Sequence, residues 1–274
     1  MAIDRDLANF SRMVEALAPW LEQIVVIGGW AHRLYHYHAL AQPLDHPPLT
    51  TLDADIALPD RLPKNPEADM RERLVKAGFD EEFLGKDNPP ATHFRFGSDP
   101  TGFYAEFLTP LVGSGYKHGK RDATANIAGV NAQRLRYVDL LLQSPWSVKL
   151  DDRRGFPLTK PIQVRVANPA AYLAQKILAF ERRPKEDQGK EILYMHDTIE
   201  LFARSLPQIG SEWNDNTKAH VHERAVRLVE RSAADMFDHT TDAIREAALI
   251  VRERGLSPES VRQVCQAGLQ QIFH

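Results

Sequence analysis

The sequence predicts an α/β protein, in which strands and helices alternate in the first half and an all-helical C-terminal region follows. Up to about residue 166, short apolar runs rich in β-branched residues recur between glycine, proline and aspartate, as strands do. Segments with helical periodicity lie between these runs. From residue 169 almost to the end, apolar residues recur only at helical spacing. We therefore predict two domains, at residues 1–166 and 167–274.

The first half alternates helices and strands. The helix at its start carries Leu7, Phe10, Met13 and Leu17 at helical spacing. A strand of β-branched residues then ends in a glycine pair, and a proline-rich loop precedes the next apolar strand. In chain order, the predicted elements are helix 5–20, strand 24–27, a helix to about 39, loop 41–50, strand 52–58, helix 67–77, strands 93–96 and 103–108, two short strands and a short helix up to 142, and strand 163–166.

Two helix start signals mark the second half. Asn168-Pro169 and Ser257-Pro258 each place a capping side chain before a proline that suits the first helical turn. The segments between them keep helical spacing, which predicts that residues 167–274 are helical throughout.

Composition excludes several classes of protein. The chain has 274 residues and a formal net charge of -3, so no overall basic field favours nucleic acid or an anionic membrane. The single cysteine, Cys265, excludes an internal disulfide and suits a reducing compartment, and its helical surroundings favour packing over nucleophilic chemistry. No run approaches the roughly 20 apolar residues of a membrane span, and the N-terminus has no apolar core of signal-peptide length. We expect a cytoplasmic protein without a membrane contact.

Two aspartates interrupt the apolar strand 52–58. Because successive side chains of a strand alternate between faces, Asp53 and Asp55 share one face, and Leu52, Ala54 and Ile56 share the other. Two neighbouring carboxylates are costly to bury without a counter-charge, and their hard oxygen atoms suit Mg²⁺. The alternative is a polar strand face in contact with solvent.

A glycine pair and a third acid accompany these aspartates. Gly28 and Gly29 leave backbone N–H groups open to a phosphate at a helix start, although they form neither a P-loop nor a dinucleotide fingerprint. With the Asp-x-Asp strand downstream, they indicate a phosphate-binding turn beside a metal site. Glu106, in the apolar strand FYAEFLTP, is the candidate third carboxylate of a two-metal site, with Asp99 as the second choice. An exposed acid on an edge strand is the alternative for Glu106.

The segments IGGWA, LDADI and YAEFL together resemble the DNA polymerase β superfamily of nucleotidyltransferases. The resemblance is closer to the minimal nucleotidyltransferases of abortive-infection type IV and related toxin–antitoxin systems, which open with GG-x-A and then T-x-D-x-D. The matching residues are Gly28, Gly29 and Ala31, then Thr51, Asp53 and Asp55. This resemblance implies the nucleotidyltransferase fold, a mixed sheet with flanking helices, in the first domain and a helical second domain.

The resemblance also implies an activity. Two Mg²⁺ ions on Asp53, Asp55 and Glu106 would bind an NTP, and an NMP would pass to an acceptor hydroxyl with loss of pyrophosphate. The residues expected to touch the nucleotide, besides the catalytic Lys176, are Gly28, Gly29, His32, Thr51, Lys190 and Asp197. For Lys190 and Asp197 the alternative is a solvated, charged loop.

Lys176 is notable from the residues alone. It falls inside an apolar helical stripe formed by Tyr172, Leu173, Ile177 and Phe180. A lysine there either snorkels to the edge of the stripe or reaches into a cleft, and the resemblance selects the cleft. Because methionine suits the same stripe, Lys176→Met is expected to stay at least equally stable and to bind NTP less tightly.

The acceptor remains open among an RNA 3′ end, a protein hydroxyl and a small molecule, and the resemblance favours tRNA. A local basic surface is one candidate for binding RNA phosphates. Its residues would be Lys117, Lys120, Arg121, Arg134 and Arg136. A cognate antitoxin is a further partner that the resemblance implies.

Two other interpretations were weighed. His32 and His36 have the i, i+4 spacing of a zinc helix, with His38 nearby, but the glutamate of H-E-x-x-H and a clear third ligand are missing. A zinc site is therefore disfavoured. The rival function is a catalytically silent module that binds a nucleotide or a partner protein, because Trp30 stands where many superfamily members have a phosphate-contacting serine.

Overall fold

The protein is described from a computed structural model, which covers residues 5–63, 69–97, 99, 102–113, 115–117 and 120–274. The side chains of residues 117, 120 and 121 lie outside this description. The chain forms two compact units. One comprises residues 1–37 and 50–167, and the other comprises residues 38–49 and 168–274. The segment 38–49 thus belongs with the helical unit, although it precedes most of the sheet in the sequence.

The first unit is built on one large mixed sheet. Its strands are β1 (Val25–Ile27), β2 (Asp53–Ala57), β3 (Phe79–Leu84), β4 (Ala91–Phe96), β5 (Tyr104–Pro110), β6 (Tyr116–Lys117), β7 (Lys120–Arg121), β8 (Thr124–Ile127), β9 (Val130–Leu135), β10 (Trp146–Leu150) and β11 (Ile162–Val166). Its helices are α1 (Arg5–Ala16), α2 (Gly28–Tyr35), α3 (Met70–Lys76) and α4 (Val138–Leu141).

The central strands combine parallel and antiparallel pairing. The order is β10-β11-β1-β2-β5-β4-β3, with β9 also pairing with β5, and β8 with β9, while β6 and β7 form a separate hairpin. Strand β2 runs parallel to β5 and antiparallel to β1, and β4 runs antiparallel to β5. The predicted mixed sheet with flanking helices is confirmed.

Differences from the sequence prediction are local. Strand β3 was not predicted, because three successive acids, Asp80 to Glu82, hide its alternation; it pairs with β4 along its whole length. Strand β10 was also missed. Helix α2 ends at Tyr35 rather than near residue 39, since the chain passes into the second unit from His38 onward.

Aromatic packing fills the core beneath α1 and α2. The predicted apolar stripe of α1 is buried, and the Phe10 ring stacks on Trp30 with centroids 3.9 Å apart and planes 6° from parallel. The Phe103 ring meets the Trp30 indole edge-on, with centroids 5.9 Å apart. The Arg33 guanidinium lies 4.8 Å from the centroid of the Trp30 ring. Trp30 is 0% exposed, so its size serves the packing of helix on helix.

The second unit is helical, as predicted. Its helices are α5 (Pro169–Ala179), α6 (Lys185–Leu201), α7 (Leu206–Ser211), α8 (Glu223–Asp235), α9 (Asp242–Ile250) and α10 (Pro258–Phe273), and a π-helical turn spans Glu212–Thr217. Both predicted start signals form caps. The Ala171 N–H donates to the Asn168 side chain at 2.8 Å, and the Ser260 N–H donates to the Ser257 hydroxyl at 3.0 Å.

Cys265 lies in the interior of the second unit, on α10. Burial, followed by the negative charge of Asp197, holds the pKa of its thiol well above the ordinary value. A thiol of this kind stays protonated and packs as a small apolar side chain, as predicted. Among the described residues, no helix has both the length and the apolar character needed to cross a membrane.

Candidate active site

Three carboxylates meet on one face of the central sheet. Because β2 and β5 are parallel and in register, Asp53 lies opposite Tyr104 and Asp55 lies opposite Glu106. All four side chains point to the same face and are partly exposed, whereas Ala54 and Ile56 of the opposite face are buried. The polar alternation predicted from LDADI is therefore present, and Glu106 joins it through the strand pairing.

The combined field of these acids acts on Tyr104. Burial first, and then the charges of Asp53, Glu106 and Asp55, raise the pKa of the Tyr104 phenol to about 12, with Arg95 acting in the opposite direction. Like charges disfavour a nearby phenolate, which is the expected sign. The site therefore carries concentrated negative potential, which a cation would neutralise.

Gly28 lies directly against Asp55. Strand β1 pairs with β2 so that Ile27 faces Asp55, which brings the start of α2 beside the carboxylate. Gly28 has a φ of +61°, and a Cβ built on it would lie 2.0 Å from Asp55 Oδ2. Glycine is required here both for the left-handed backbone and for the close approach. The turn predicted to bind phosphate is thus in direct contact with Asp55, a predicted metal ligand.

The other two carboxylates have hydrogen-bond partners on neighbouring residues. The Thr51 hydroxyl donates to Asp53 Oδ1, so that this predicted nucleotide-binding residue touches an acid. His93 Nε2 lies 2.9 Å from Glu106 Oε1. Sequence reasoning missed His93, because only the register of β4 against β5 places it opposite Glu106. In the sequence, the one indication for His93 was its position on the predicted strand 93–96.

The interior of α2 is buried, whereas Gly28 at its start is partly exposed. His32, predicted to touch phosphate, is 0% exposed, and its ring meets His36 edge-on with centroids 5.7 Å apart. This burial gives the predicted phosphate contact of His32 no support. Trp30 likewise packs in the core, so its ring does not occupy the solvent-facing side of the turn.

Lys176 has partners within the second unit. Its side chain is 4% exposed, and Nζ donates to Glu191 Oε2 at 2.7 Å. The same ammonium lies 4.7 Å from the Tyr172 ring centroid and 4.6 Å from that of Tyr194. An exposed fraction of 4% does not fit a lysine that snorkels to the edge of the stripe, and the predicted contact of Lys176 in a cleft stays a prediction. Lys190 is exposed, and its ammonium lies 5.7 Å from the centroid of the Tyr194 ring.

Asp197 is also engaged within the second unit. It is 0% exposed, with Arg254 Nη1 2.7 Å from Oδ2 and His196 Nδ1 2.9 Å from Oδ1. One candidate ligand atom from each of His46, Asp197 and Glu200 lies within 4.8 Å of the others. The guanidinium of Arg254 already neutralises the buried member of this group, which opposes a cation there.

The predicted basic surface is partly committed to protein contacts. Arg134 pairs with Asp60 and Asp122, both at 3.2 Å, and Arg136 donates to the Gly113 carbonyl at 3.1 Å. The remaining members, Lys117, Lys120 and Arg121, have side chains outside the described part of the chain.

Replacement of Gly28 by alanine tests the close approach. We expect Gly28→Ala to displace the Asp55 carboxylate, since the new methyl would sit 2.0 Å from Oδ2, and to weaken Mn²⁺ binding as well as stability. Gly255→Ala is the matched control: Gly255 has a φ of +65°, and no described atom lies within 4 Å of a Cβ built there. The left-handed backbone alone costs about 1–2 kcal/mol. Stability is measured by calorimetric unfolding, and Mn²⁺ affinity by titration. Equal losses of stability and of Mn²⁺ affinity in the two variants would contradict the contact between Gly28 and Asp55.

Comparison with known proteins shows the family of the chain. No curated protein sequence matches the chain in a search. A family model described as Nucleotidyltransferase matches residues 5–217, which include the glycine turn, the two aspartates, Glu106 and all of α5 to α7. That match covers well over half of the 274 residues. The chain therefore belongs to this nucleotidyltransferase family.

Proposed function

We propose that the protein is a Mg²⁺-dependent nucleotidyltransferase that moves an NMP from an NTP to an acceptor hydroxyl. The observation that carries the proposal is the register that brings Asp53, Asp55 and Glu106 onto one partly exposed face. Family membership supports nucleotidyl transfer in general.

The residues fit a pair of divalent cations. Three carboxylates provide the hard oxygen atoms that Mg²⁺ prefers. Because Gly28 has no Cβ, the Asp55 carboxylate has space beside the glycine turn. Asp53, Asp55 and Glu106 would hold the ions. When bound, two such ions supply neutralisation of charge on the triphosphate and on the attacking and leaving oxygens.

The chain's own groups would hold the substrates. Backbone N–H groups of Gly28 and Gly29 at the start of α2 would bind phosphate oxygens, as helix N-termini do. Thr51 would keep Asp53 in one orientation through its hydroxyl. In the reaction, a bond forms between the acceptor oxygen and the α-phosphorus, the bond to the β-phosphate breaks, and pyrophosphate leaves with its electron pair. The hydroxyl proton passes to solvent.

Further assignments rest on the resemblance. Lys176 would neutralise phosphate charge, Lys190 and Asp197 would assist with nucleotide or acceptor, and His32 would touch phosphate from the first turn of α2. A phosphate contact requires the Lys176 ammonium to leave Glu191, with which it is paired here. The acceptor would be an RNA 3′ end, tRNA in particular, or a protein hydroxyl. The same resemblance motivates a role as a toxin–antitoxin component with a cognate antitoxin.

Labelling with each α-³²P NTP tests the activity and finds the acceptor. The purified protein is incubated with Mg²⁺ and either total RNA or lysate protein, and labelled products are separated. We expect one NTP to label one acceptor fraction, with no label in EDTA and with labelling slowed by about 10²-fold or more in the Asp55→Asn variant. The rival silent module predicts tight NTP binding by calorimetry and no labelled product with any nucleotide. That result would overturn the proposed transfer.

A further inference from the structure

His93 holds one oxygen of Glu106. Strand β4 runs antiparallel to β5 with His93 directly opposite Glu106, and Nε2 lies 2.9 Å from Oε1. The two side chains are 16% and 22% exposed, so water competes little for this hydrogen bond. The contact uses Oε1 and does not involve Oε2, the second oxygen that a cation would bind.

The imidazole is itself held by its neighbours. Its ring stacks on Tyr104 with centroids 5.2 Å apart and planes 13° from parallel. The Arg95 guanidinium lies 5.1 Å from the centroid of the same Tyr104 ring, and Arg95 donates to both oxygens of Glu82, at 2.8 and 3.0 Å. A row of contacts across β3, β4 and β5 therefore sets the direction in which His93 presents its nitrogen.

Each of the three carboxylates has a different neighbour beside it. Thr51 donates to Asp53, the missing Cβ of Gly28 accommodates Asp55, and His93 contacts Glu106. Without His93, Glu106 would be free to rotate away from Asp55, since like charges repel across the register. Metal-binding carboxylates need such outer contacts to keep the geometry that the ion requires.

We infer that His93 is a positioning residue of the metal site, which orients Glu106 through Nε2 and presents its second oxygen to the cation. The inference deepens the proposed function and rests on it. His93 acts through Glu106 and does not itself bind metal.

Two substitutions separate the hydrogen bond from the packing. His93→Phe keeps a ring against Tyr104 and removes the donor, whereas His93→Gln removes the ring and keeps a side-chain N–H. Affinity for Mn²⁺ is measured on the metal-free protein by electron paramagnetic resonance, together with the melting temperature. We expect His93→Phe to weaken Mn²⁺ binding by about 10- to 100-fold at nearly unchanged melting temperature, and His93→Gln to restore most of it. The exposed His239, changed to Phe, controls for adventitious imidazole binding.

A double-mutant cycle with Glu106→Gln completes the test. If His93 acts through Glu106, His93→Phe has no further effect on Mn²⁺ affinity in the Glu106→Gln protein. An equal loss in His93→Phe and His93→Gln would make His93 a ligand, and parental affinity in His93→Phe would make it only structural; either result overturns the inference. Parental protein that binds no Mn²⁺, or binding that survives Asp55→Asn, overturns the proposed function and this inference with it.

Discussion

Asp55→Asn is expected to slow nucleotidyl transfer by about 10²-fold or more while the protein stays folded. The amide keeps the size that fits against Gly28 but removes the charge that a divalent cation requires. A loss of about 2.7 kcal/mol of transition-state stabilisation corresponds to that factor, and a metal ion supplies several kcal/mol. Single-turnover rates with the labelled NTP measure the effect.

The stability of this variant gives a second readout. Asp55 lies in register with Glu106 and near Asp53, so removal of one negative charge relieves repulsion in the metal-free protein. We expect a melting temperature equal to or above that of the parent. Asp80→Asn is the matched control. Asp80 is an exposed acid on the edge strand β3, and the strand register places it on the same face of the sheet as Asp55. Parental rates in both variants would contradict the assignment of Asp55 as a metal ligand.

Lys176→Met is expected to destabilise the protein by about 3–5 kcal/mol at neutral pH, the usual cost of removing one partner from a buried ion pair. Sequence reasoning predicted unchanged or higher stability, because methionine suits an apolar stripe. The structure supports the opposite, since Lys176 is 4% exposed and Glu191 12% exposed, and Arg183, at 3.6 Å from Glu191, is itself largely solvated. Urea denaturation at pH 7 measures the difference.

The effect should depend on pH in a defined direction. Burial raises the pKa of Glu191, but attraction from Lys176 and Arg183 outweighs it and leaves the pKa below the ordinary value of 4.5. A carboxyl with a lowered pKa stabilises the fold above its unfolded pKa and loses that contribution as pH falls through the folded pKa. The gap between parent and Lys176→Met should therefore be full near pH 7 and narrow below about pH 4.5.

Two further variants isolate the charge. Lys176→Met combined with Glu191→Gln leaves no uncompensated charge at position 191, so we expect the double variant to regain most of the lost stability. Lys190→Met removes an exposed lysine near the same Tyr194 ring and should change stability by about 0.5 kcal/mol or less. If Lys176→Met and the double variant have the same free energy of unfolding, the broken ion pair does not cause the loss of stability in Lys176→Met.

The double variant also tests the nucleotide role of Lys176 without a folding defect. Loss of a charged contact worth about 1.5–3 kcal/mol would weaken NTP binding roughly ten- to a hundred-fold. Parental NTP affinity in the folded double variant would show that Lys176 only packs against Glu191 and the tyrosine rings.

Local features of the chain were readable from the residues because they depend on near neighbours. Strand alternation alone places Asp53 and Asp55 on one face, and the structure agrees. The caps at Asn168 and Ser257 follow from side chains that reach backbone N–H groups three residues ahead. The division into an α/β half and a helical half was likewise evident from the change of hydrophobic period.

Contacts between distant segments were decided by the tertiary structure. The pairing of Asp55 with Glu106 and of Glu106 with His93 depends on strand register, and a slip of one residue would move every side chain to the other face. The core position of Trp30 required Phe10 from another helix, and the burial of Lys176 required Glu191 from the next one. Such partners are selected by packing across the whole unit, which periodicity within one segment does not encode.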